Sequence, residues 1–322
     1  MTTSQKAWFL VSCTLLLAAA CHGLQVGFYQ KSCPRAEAIV RAEVEKALRR
    51  DPGLGAALIR MLFHDCFVQG CDGSILIDAK NGSPPPEKMG APNNPSQRGF
   101  DVIDAVKAAL EKACPGTVSC ADIVAYSARD ASAILSGNRI TFPMPGGRFD
   151  GRRSLQSDTG VLPGPSSDLS RLVSAFAAQK LSTEDLVVLS GAHSIGRSHC
   201  SSFFGSRIAS ASDMAAPLVS SLRAQCPVNP TPGGSDAVVA EDAVTPNVLD
   251  NQYYTNVLQR RVLFPSDAAL LSSSQTAKLV RDHAKNARSW EKKFAAAMVK
   301  MASIGVKTGR NGEIRKNCRV VN

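Results

Sequence analysis

The sequence predicts a mainly α-helical protein. Apolar side chains recur at helical spacing in many segments of its 322 residues, strand signals are few and short, and neither internal repeats nor coiled-coil heptads occur. The strongest segment begins at residue 54 and is apolar around its whole circumference, which is typical of a helix buried on every side. A chain of this length can form one large or two medium domains with a sizeable core.

The first 24 residues are predicted to form a secretory signal peptide. Lys6 gives a positive start, an apolar run extends from Ala7 to Ala20, and small residues follow near Gly23. The run is too short to be a convincing membrane span, and no other stretch approaches the ~18 apolar residues that a span needs. We therefore expect a soluble, extracellular protein that has no membrane segment once the leader has been removed.

The charge distribution argues against nucleic-acid binding. The chain has a net charge of +10, and only the charge of Lys6 leaves with the signal peptide, so the mature protein carries about +9. No basic run concentrates this charge, and aromatic residues are sparse. We expect no nucleic-acid partner and at most weak retention by an acidic polysaccharide matrix.

Eight of the ten cysteines remain after the leader is removed. An even number in an exported protein predicts four disulfide bonds, which can be paired in roughly a hundred ways. Spacing alone favours only the short clip between Cys66 and Cys71. A zinc site is the competing use of cysteine, but the sequence has neither a CxxC pair nor an HxxxH pair.

The N-terminal part of the mature chain is predicted to contain two helices and then loops. Residues 34–50 have an amphipathic pattern with Pro34 in the first turn and a stop at the Asp-Pro-Gly of residues 51–53. The buried helix comes next, and an acidic loop follows it to about residue 74. Residues 79–98 are rich in Pro, Gly and Asn, which predicts a long loop, and Asn81 within it begins the only usable glycosylation sequon.

The remainder of the chain is predicted to contain further helices joined by loops, with an irregular crossing between two halves at residues 137–167. One helix has a start typical of a capping box at Ser182-Thr183-Glu184-Asp185 and ends at Ser190-Gly191. Apolar periodicity predicts the other helices at residues 99–113, 119–135, 168–180, 213–225, 251–260, 275–285 and 289–304.

Two polar residues, Arg60 and His64, interrupt the buried helix. Their spacing of four places them on one face, one turn apart. A buried guanidinium and a buried imidazole are costly unless something occupies the space in front of them. A core histidine satisfied by a neighbour is the alternative, but the arginine and the acidic loop that follows favour a functional site.

A second histidine, His193, lies between glycines in the segment Leu189–Gly196, just past a predicted helix end. Backbone without bulky side chains can approach a flat group closely, so an imidazole presented there suits a metal ligand. A helix-terminal histidine that interacts with the last carbonyl groups is an equally good interpretation of this stretch alone.

Both histidines belong to longer motifs, and further motifs occur along the chain. They are Arg60-x-x-Phe63-His64-Asp65-Cys66-Phe67, Gly70-Cys71-Asp72-Gly73-Ser74, Arg98-Gly99-Phe100-Asp101, Ser190-Gly191-Ala192-His193-Ser194-Ile195-Gly196, Asp250-Asn251-Gln252-Tyr253-Tyr254 and Asn317-Cys318-Arg319-Val320-Val321-Asn322. Taken together, these motifs resemble those of the plant secretory (class III) haem peroxidases, and the resemblance covers essentially all of residues 25–322.

The resemblance implies a single catalytic unit with the haem peroxidase fold, in which about ten or more helices form two halves with the haem between them. The distal half is roughly residues 25–165, the proximal half roughly 166–288, and a C-terminal helix and tail take 289–322.

The resemblance assigns the reaction centre to five residues and one haem b. His193 is the axial iron ligand, and Asp267 holds its other ring nitrogen. His64 moves protons for hydrogen peroxide, Arg60 stabilises the negative charge that develops, and Asn93 accepts the other N–H of His64. From the sequence around it, Asp267 is equally well interpreted as a helix N-cap.

The resemblance also implies phenolic electron donors and four disulfide pairs. Pro163 matches the proline at the donor site, whereas Ser166, Ser167 and Ser202 stand where some relatives have aromatic residues. Phe149 is a further departure, because a second arginine is common at its position. The implied pairs are Cys33–Cys114, Cys66–Cys71, Cys120–Cys318 and Cys200–Cys226.

Two calcium sites complete the expected set of cofactors. From spacing alone, the acidic loop after the buried helix fits a solvated turn as well as a site for Ca²⁺, which prefers oxygen ligands. The resemblance favours calcium and assigns the first site to Asp65, Val68, Gly70, Asp72, Ser74 and Glu87. It assigns the second site to Ser194, Asp242, Thr245, Val248 and Asp250.

Two other functions remain open from the sequence. One is a haem protein with two axial histidines that only transfers electrons, against which Arg60 argues because a second ligand needs no neighbouring cation. The other is a non-catalytic calcium-binding homologue that kept the scaffold. A serine hydrolase is disfavoured, because the chain has no GxSxG motif.

Overall fold

The structure, a computed structural model, describes residues 23–210, 213–231 and 234–322. The predicted signal peptide therefore lies outside the described residues up to position 22. No helix in the described part of the chain combines the length and the apolar character needed to cross a membrane.

The architecture is mainly helical, as the sequence predicts. Eleven α-helices in the described residues are accompanied by short 3₁₀ turns and one two-stranded antiparallel sheet, in which β1 (Arg197–His199) pairs with β2 (Val238–Ala240). The helices are α1 Ala36–Arg50, α2 Gly53–Val68, α3 Phe100–Ala113, α4 Cys120–Leu135, α5 Leu169–Ala178, α6 Thr183–Ser190, α7 Ala216–Gln225, α8 Gln252–Leu258, α9 Pro265–Ala268, α10 Ser274–Lys285 and α11 Ala287–Met301.

Helix α2 is buried as predicted and packs mainly on α4 and α1. Its apolar residues join one large core that extends through both halves of the protein. A second, smaller core lies around the Cys200–Cys226 bond and includes Phe203, Leu222 and Phe264. The second core packs beside the segment that follows His193, so it supports one side of the candidate site.

Side-chain caps set the starts of several helices. The predicted capping box is present, since Ser182 Oγ accepts from the Asp185 amide and Asp185 accepts from the Ser182 amide. Ser119 and Asp168 cap α4 and α5 in the simpler way, by accepting from the amide three residues on. The capping box explains why the start of α6 could be recognised from the sequence.

Some boundaries differ from the sequence predictions. Pro34 precedes the N-cap of α1, Arg35, and does not lie in the first turn, because the chain there turns at the disulfide-bonded Cys33, whose carbonyl accepts from the Ala36 amide. Helix α11 begins and ends a few residues earlier than expected. The four-residue α9 and the π-helix Phe204–Ala209 were not predicted, because elements of this length show too little periodicity to be recognised.

The four disulfide bonds have the pairing that the resemblance implies. Cys33–Cys114 joins the segment before α1 to the end of α3, and Cys120–Cys318 joins the segment after α11 to the start of α4. Cys66–Cys71 closes the turn after α2, and Cys200–Cys226 closes the second core. All eight cysteines of the described residues are thus used in disulfide bonds and not in a zinc site.

A buried ion pair connects α4 to the end of α11. Arg148 and Asp122 have fully buried side chains joined at 2.7 Å, and the Arg148 guanidinium also donates to the Ala302 carbonyl. Asp122 accepts in addition from the Tyr29 hydroxyl at 2.7 Å. Removal of one partner from such a pair typically costs about 3–5 kcal/mol, because the other charge stays buried. Phe149, the next residue, packs against glycines of the C-terminal tail.

Candidate functional site

Helix α2 presents Arg60 and His64 to an interior space. Arg60 donates to the Pro92 carbonyl at 2.6 Å and to Ser96 Oγ at 3.0 Å, so its guanidinium is anchored by the long loop of residues 79–98. The Arg60 side chain is only partly accessible, and burial lowers its pKa. The long loop therefore fixes one wall of the candidate site.

Asn93 fixes which ring nitrogen of His64 carries the proton, and burial together with Arg60 keeps the ring neutral. The Asn93 amide nitrogen donates to the Glu87 carbonyl at 2.7 Å, so its Oδ1 atom faces His64 Nδ1 at 2.6 Å as an acceptor. His64 must then donate from Nδ1, and its Nε2 atom keeps a free lone pair. Burial, followed by the Arg60 charge, lowers the pKa of His64 well below its ordinary value of 6.5, so the ring is neutral at neutral pH.

His193 lies in a 3₁₀ turn, Gly191–Ser194, directly after α6. Its Nδ1 atom is 2.9 Å from Asp267 Oδ1. Asp267 lies inside α9, whose N-cap is Phe264, so the interpretation of Asp267 as an N-cap is wrong. Burial alone would lower the pKa of His193, but the charges of Asp267 and Glu241 outweigh it and raise the pKa to about 9.

His193 lies within electrostatic reach of Arg60, which is one turn from His64 on α2, and Glu241 acts on both charges. The His193 side chain is 40% exposed, and the positive charge of Arg60 opposes the rise of its pKa. The donor set fits a haem iron, because an imidazole whose Nδ1 is held by a carboxylate presents Nε2 as a metal ligand. An accessible imidazole and an anchored cation near it are what a bound, flat, anionic macrocycle requires.

Glu241 is a residue of this space that the sequence did not indicate. It follows β2, and its amide donates to the Gly196 carbonyl at 3.1 Å, three residues after His193. Burial raises the pKa of its carboxyl group to about 7, against the opposing charge of His193. A single glutamate in an irregular segment carries no sequence signal for burial, so only the tertiary structure reveals it.

The first expected calcium site is a buried acidic cluster. Asp65 accepts from the Gly73 amide at 2.9 Å, Asp72 accepts from the Ser74 amide at 3.0 Å, and Ser74 Oγ donates to Glu87 at 3.1 Å. The other carboxylate oxygen of Glu87 is buried without a hydrogen bond. The turn closed by the Cys66–Cys71 bond, just before Asp72, contains Val68 and Gly70.

The carboxylates of this cluster are only partly compensated by neighbouring positive charges. Burial, reinforced by neighbouring carboxylates, raises the pKa of Asp65 to about 8 and that of Glu87 to about 9. Lys307 is 3.5 Å from Asp72 and compensates for only part of this charge. Among the described residues no three acidic, histidine or cysteine side chains form a metal site by themselves, so backbone carbonyl and hydroxyl oxygens would have to complete the ligand set.

The residues of the second expected site also lie together. Ser194 Oγ accepts from the Asp250 amide at 3.2 Å, and Thr245 Oγ1 is within 3.4 Å of both Asp242 and Asp250. Val248 lies in the same loop, where its amide donates to the Thr245 carbonyl. Burial and the nearby Asp242 raise the pKa of Asp250. The arrangement offers several oxygen atoms directly beside His193.

Pro163 lies in the loop between the 3₁₀ segment Gln156–Val161 and α5. The Pro165 carbonyl accepts from the Ser266 amide at 2.9 Å, which ties this loop to the helix that carries Asp267. Ser166 is exposed and Ser167 is buried. The loop is therefore held next to the His193 side of the interior space.

Comparison with known proteins identifies the family. Residues 40–286 match the family model described as Peroxidase. The chain is 56% identical to Peroxidase 2 of Zea mays over 99% of its own length and 97% of that protein. It is 46% identical to Peroxidase 5 of Vitis vinifera, over 100% of this chain and 98% of that protein. It is 42% identical to the lignin-forming anionic peroxidase of Nicotiana sylvestris, over 97% of this chain and 96% of that protein. The chain therefore belongs to the peroxidase family and is an enzyme of that class.

Proposed function

We propose that this peroxidase binds one haem b between His64 and His193 and uses hydrogen peroxide to oxidise phenolic donors by one-electron steps. One observation carries the proposal. Each of the two imidazoles has its Nδ1 atom held by a side-chain oxygen, at 2.6 Å from Asn93 and at 2.9 Å from Asp267, so these contacts do not engage either Nε2 atom. Burial and Arg60 make His64 a weaker base, whereas Asp267 and Glu241 make His193 a stronger one, and a more basic imidazole is the better metal ligand.

On one side, His193 would hold the haem iron through Nε2. The bound haem supplies the redox centre that peroxide oxidises and that donors reduce. Asp267 keeps the Nδ1 proton of His193 in place and gives the ring imidazolate character, which favours the higher oxidation states of the metal. Asp267 is itself fixed by the Tyr253 hydroxyl at 2.7 Å, so the ring cannot easily rotate.

On the other side, His64 and Arg60 would act on peroxide. Neutral His64 accepts a proton from hydrogen peroxide at Nε2 and returns it to the oxygen that leaves as water. The Arg60 guanidinium, anchored by Pro92 and Ser96, stabilises the negative charge that develops on that oxygen. Asn93 keeps the required tautomer of His64 throughout.

The donors are proposed to be small phenols in extracellular cell-wall chemistry, including lignin-type phenols. The named activity of the Nicotiana relative supports this class, and the loop around Pro163 offers access without aromatic side chains at Ser166 and Ser167. That relative is called anionic, whereas this chain carries a net charge of +10. The positive charge favours weak retention by acidic wall polysaccharide, and peroxide removal under oxidative stress would accompany the activity.

The optical spectrum of the haem-loaded protein tests the proposed function. A high-spin ferric spectrum that changes when peroxide is added, and returns when a phenol such as guaiacol follows, is the expected result. A low-spin resting spectrum would indicate that His64 also ligates iron, as in an electron-transfer protein. Failure to bind haem at all would favour a non-catalytic homologue.

Two Ca²⁺ ions are proposed to hold the histidines in position. Asp65 follows His64 in the chain, and Ser194 follows His193, so each cluster fixes the backbone beside one ring. Calcium would also supply the charge that the buried carboxylates lack.

Removal of calcium by a chelator is therefore expected to lower peroxidase activity and thermal stability together. An ion present at about 100 times its Kd contributes about 2.7 kcal/mol, which is lost on chelation. In the ion-free protein the raised pKa values of Asp65 and Glu87 mean that the folded state holds protons which the unfolded state has released. Its stability should fall as the pH rises from about 4 to about 9.

Thermal melts across this pH range, with chelator and with added Ca²⁺, measure both effects. Mg²⁺ serves as the control ion, since it demands a tighter octahedral geometry and should restore less stability. Identical melting curves with and without chelator would remove both calcium sites from the proposal.

A further inference from the structure

A row of buried aromatic rings begins beside His193, and the proposed reaction uses only the hydroxyl of its first ring, which holds Asp267. The Tyr253 ring meets the His193 ring edge-on with 6.2 Å between centroids. Tyr254 follows at 5.1 Å from Tyr253, and Trp290 at 5.9 Å from Tyr254. All three rings are at most 2% exposed. They are close enough to one another and to the axial imidazole for electrons to pass between them.

The three rings differ in what their polar hydrogens contact. The Tyr253 hydroxyl donates to Asp267 Oδ1 at 2.7 Å. The Tyr254 hydroxyl donates to the Val187 and Val188 carbonyls, and Trp290 Nε1 donates to the same Val188 carbonyl at 3.1 Å. A carboxylate can accept a proton outright, whereas a peptide carbonyl is far too weak a base.

This difference decides which ring can be oxidised. A phenol that loses an electron becomes strongly acidic, so its oxidation is easy only where a base takes the proton at once. Burial and the Asp267 charge raise the pKa of Tyr253, so its phenol keeps the proton until the ring is oxidised. Tyr29 also donates to a carboxylate, that of Asp122, but the Arg148 charge neutralises that base.

We propose that Tyr253 is an internal one-electron donor that becomes a neutral tyrosyl radical when peroxide has oxidised the enzyme and no phenol is bound. One electron leaves the Tyr253 ring for the oxidised haem, which is reduced by one electron. The O–H bond of Tyr253 breaks, and its proton forms a new O–H bond at Asp267 Oδ1. Hydrogen peroxide supplies the oxidising equivalent, so this inference rests on the proposed function.

The position of Tyr253 would let it store this equivalent. Its ring is buried, so the radical is shielded from solvent and from other chains. Asp267 Oδ1 also contacts His193 Nδ1 at 2.9 Å, so a proton arriving there weakens the negative charge felt by the axial ring. A phenol that later reduces the haem centre allows the electron and the proton to return to Tyr253. The enzyme thus holds one oxidising equivalent until a donor arrives.

Electron paramagnetic resonance after rapid freezing tests the proposal. The haem-loaded full chain is mixed with hydrogen peroxide without donor, and the protein is produced with ordinary or ring-deuterated tyrosine. An organic radical signal that narrows with deuterated tyrosine is expected. Tyr253→Phe keeps the ring and removes the hydroxyl, so the signal should be lost. Tyr254→Phe is the matched control, and its signal should persist.

A second variant allows the same test if the Tyr253→Phe protein fails to retain haem. The chain has four tyrosines, Tyr29, Tyr126, Tyr253 and Tyr254, so the triple replacement of the other three by phenylalanine leaves Tyr253 alone. Persistence of the signal in that variant supports the assignment. An unchanged signal in Tyr253→Phe, or no radical although the optical spectrum shows oxidation by peroxide, overturns it. No optical change on adding peroxide to the native protein would contradict the proposed function as well.

Discussion

Replacement of His64 by leucine is expected to slow the reaction with hydrogen peroxide by about 10²–10⁴-fold while leaving haem bound. Leucine fills a similar volume but cannot accept a proton, so peroxide must lose its proton to water. The haem remains because the proposed iron ligand, His193, is on the other wall. Stopped-flow measurement of the haem spectrum after mixing with peroxide gives the rate directly, and the Soret absorbance gives the haem content.

The pH profile of the rate shows whether His64→Leu acts by removing the proton acceptor or by altering the shape of the site. Burial and the Arg60 charge lower the pKa of His64, so the native rate should be flat through neutral pH. The rate should fall only under acidic conditions well below pH 6.5, where His64 gains a proton and can no longer accept one. This acidic limb should be absent from the His64→Leu profile.

Asn93→Leu is the companion variant. It keeps His64 but removes the acceptor at 2.6 Å that fixes the Nδ1 proton, so a smaller loss of rate is expected. A His64→Leu enzyme that reacts within about tenfold of the native rate, or that keeps the acidic limb, would assign the proton transfer to another group.

Local sequence patterns predicted two of the helices that position the candidate site, α2 and α6. Helix α2 could be recognised because its apolar residues occupy every side, and this made Arg60 and His64 conspicuous. The start of α6 was predictable because a capping box is a local interaction between Ser182 and Asp185. The further roles of His193, Asp267 and the calcium residues came from resemblance to a family and not from periodicity.

The contacts that position these residues could not be predicted in the same way. Asn93 reaches His64 because its own amide is held by the Glu87 carbonyl, inside a loop whose conformation depends on tertiary packing. Asp267 meets His193 across 74 positions of sequence from a helix of four residues. Glu241 is an ordinary acidic residue in the sequence, and its burial next to His193 arises only when β2 pairs with β1.

Replacement of His193 by alanine should have the opposite effect from His64→Leu, namely loss of most of the bound haem. Its Nε2 atom is the proposed bond between the chain and the iron, and nothing on the His64 side replaces it. Haem content after gel filtration, measured from the Soret absorbance per chain, should fall to near zero. Added imidazole should restore part of it, because the small ring fits the space that the side chain leaves.

Two further variants separate ligation from charge. His199→Ala is the matched control, since His199 lies six residues later in β1 next to Asp236, and haem should be retained. Asp267→Asn keeps the ligand but removes the negative charge 2.9 Å from its ring, so haem should stay bound while its reduction potential rises. If His193→Ala retained haem as well as His199→Ala does, the iron would have to be held by another residue, and the proposed division of roles between the two walls would be wrong.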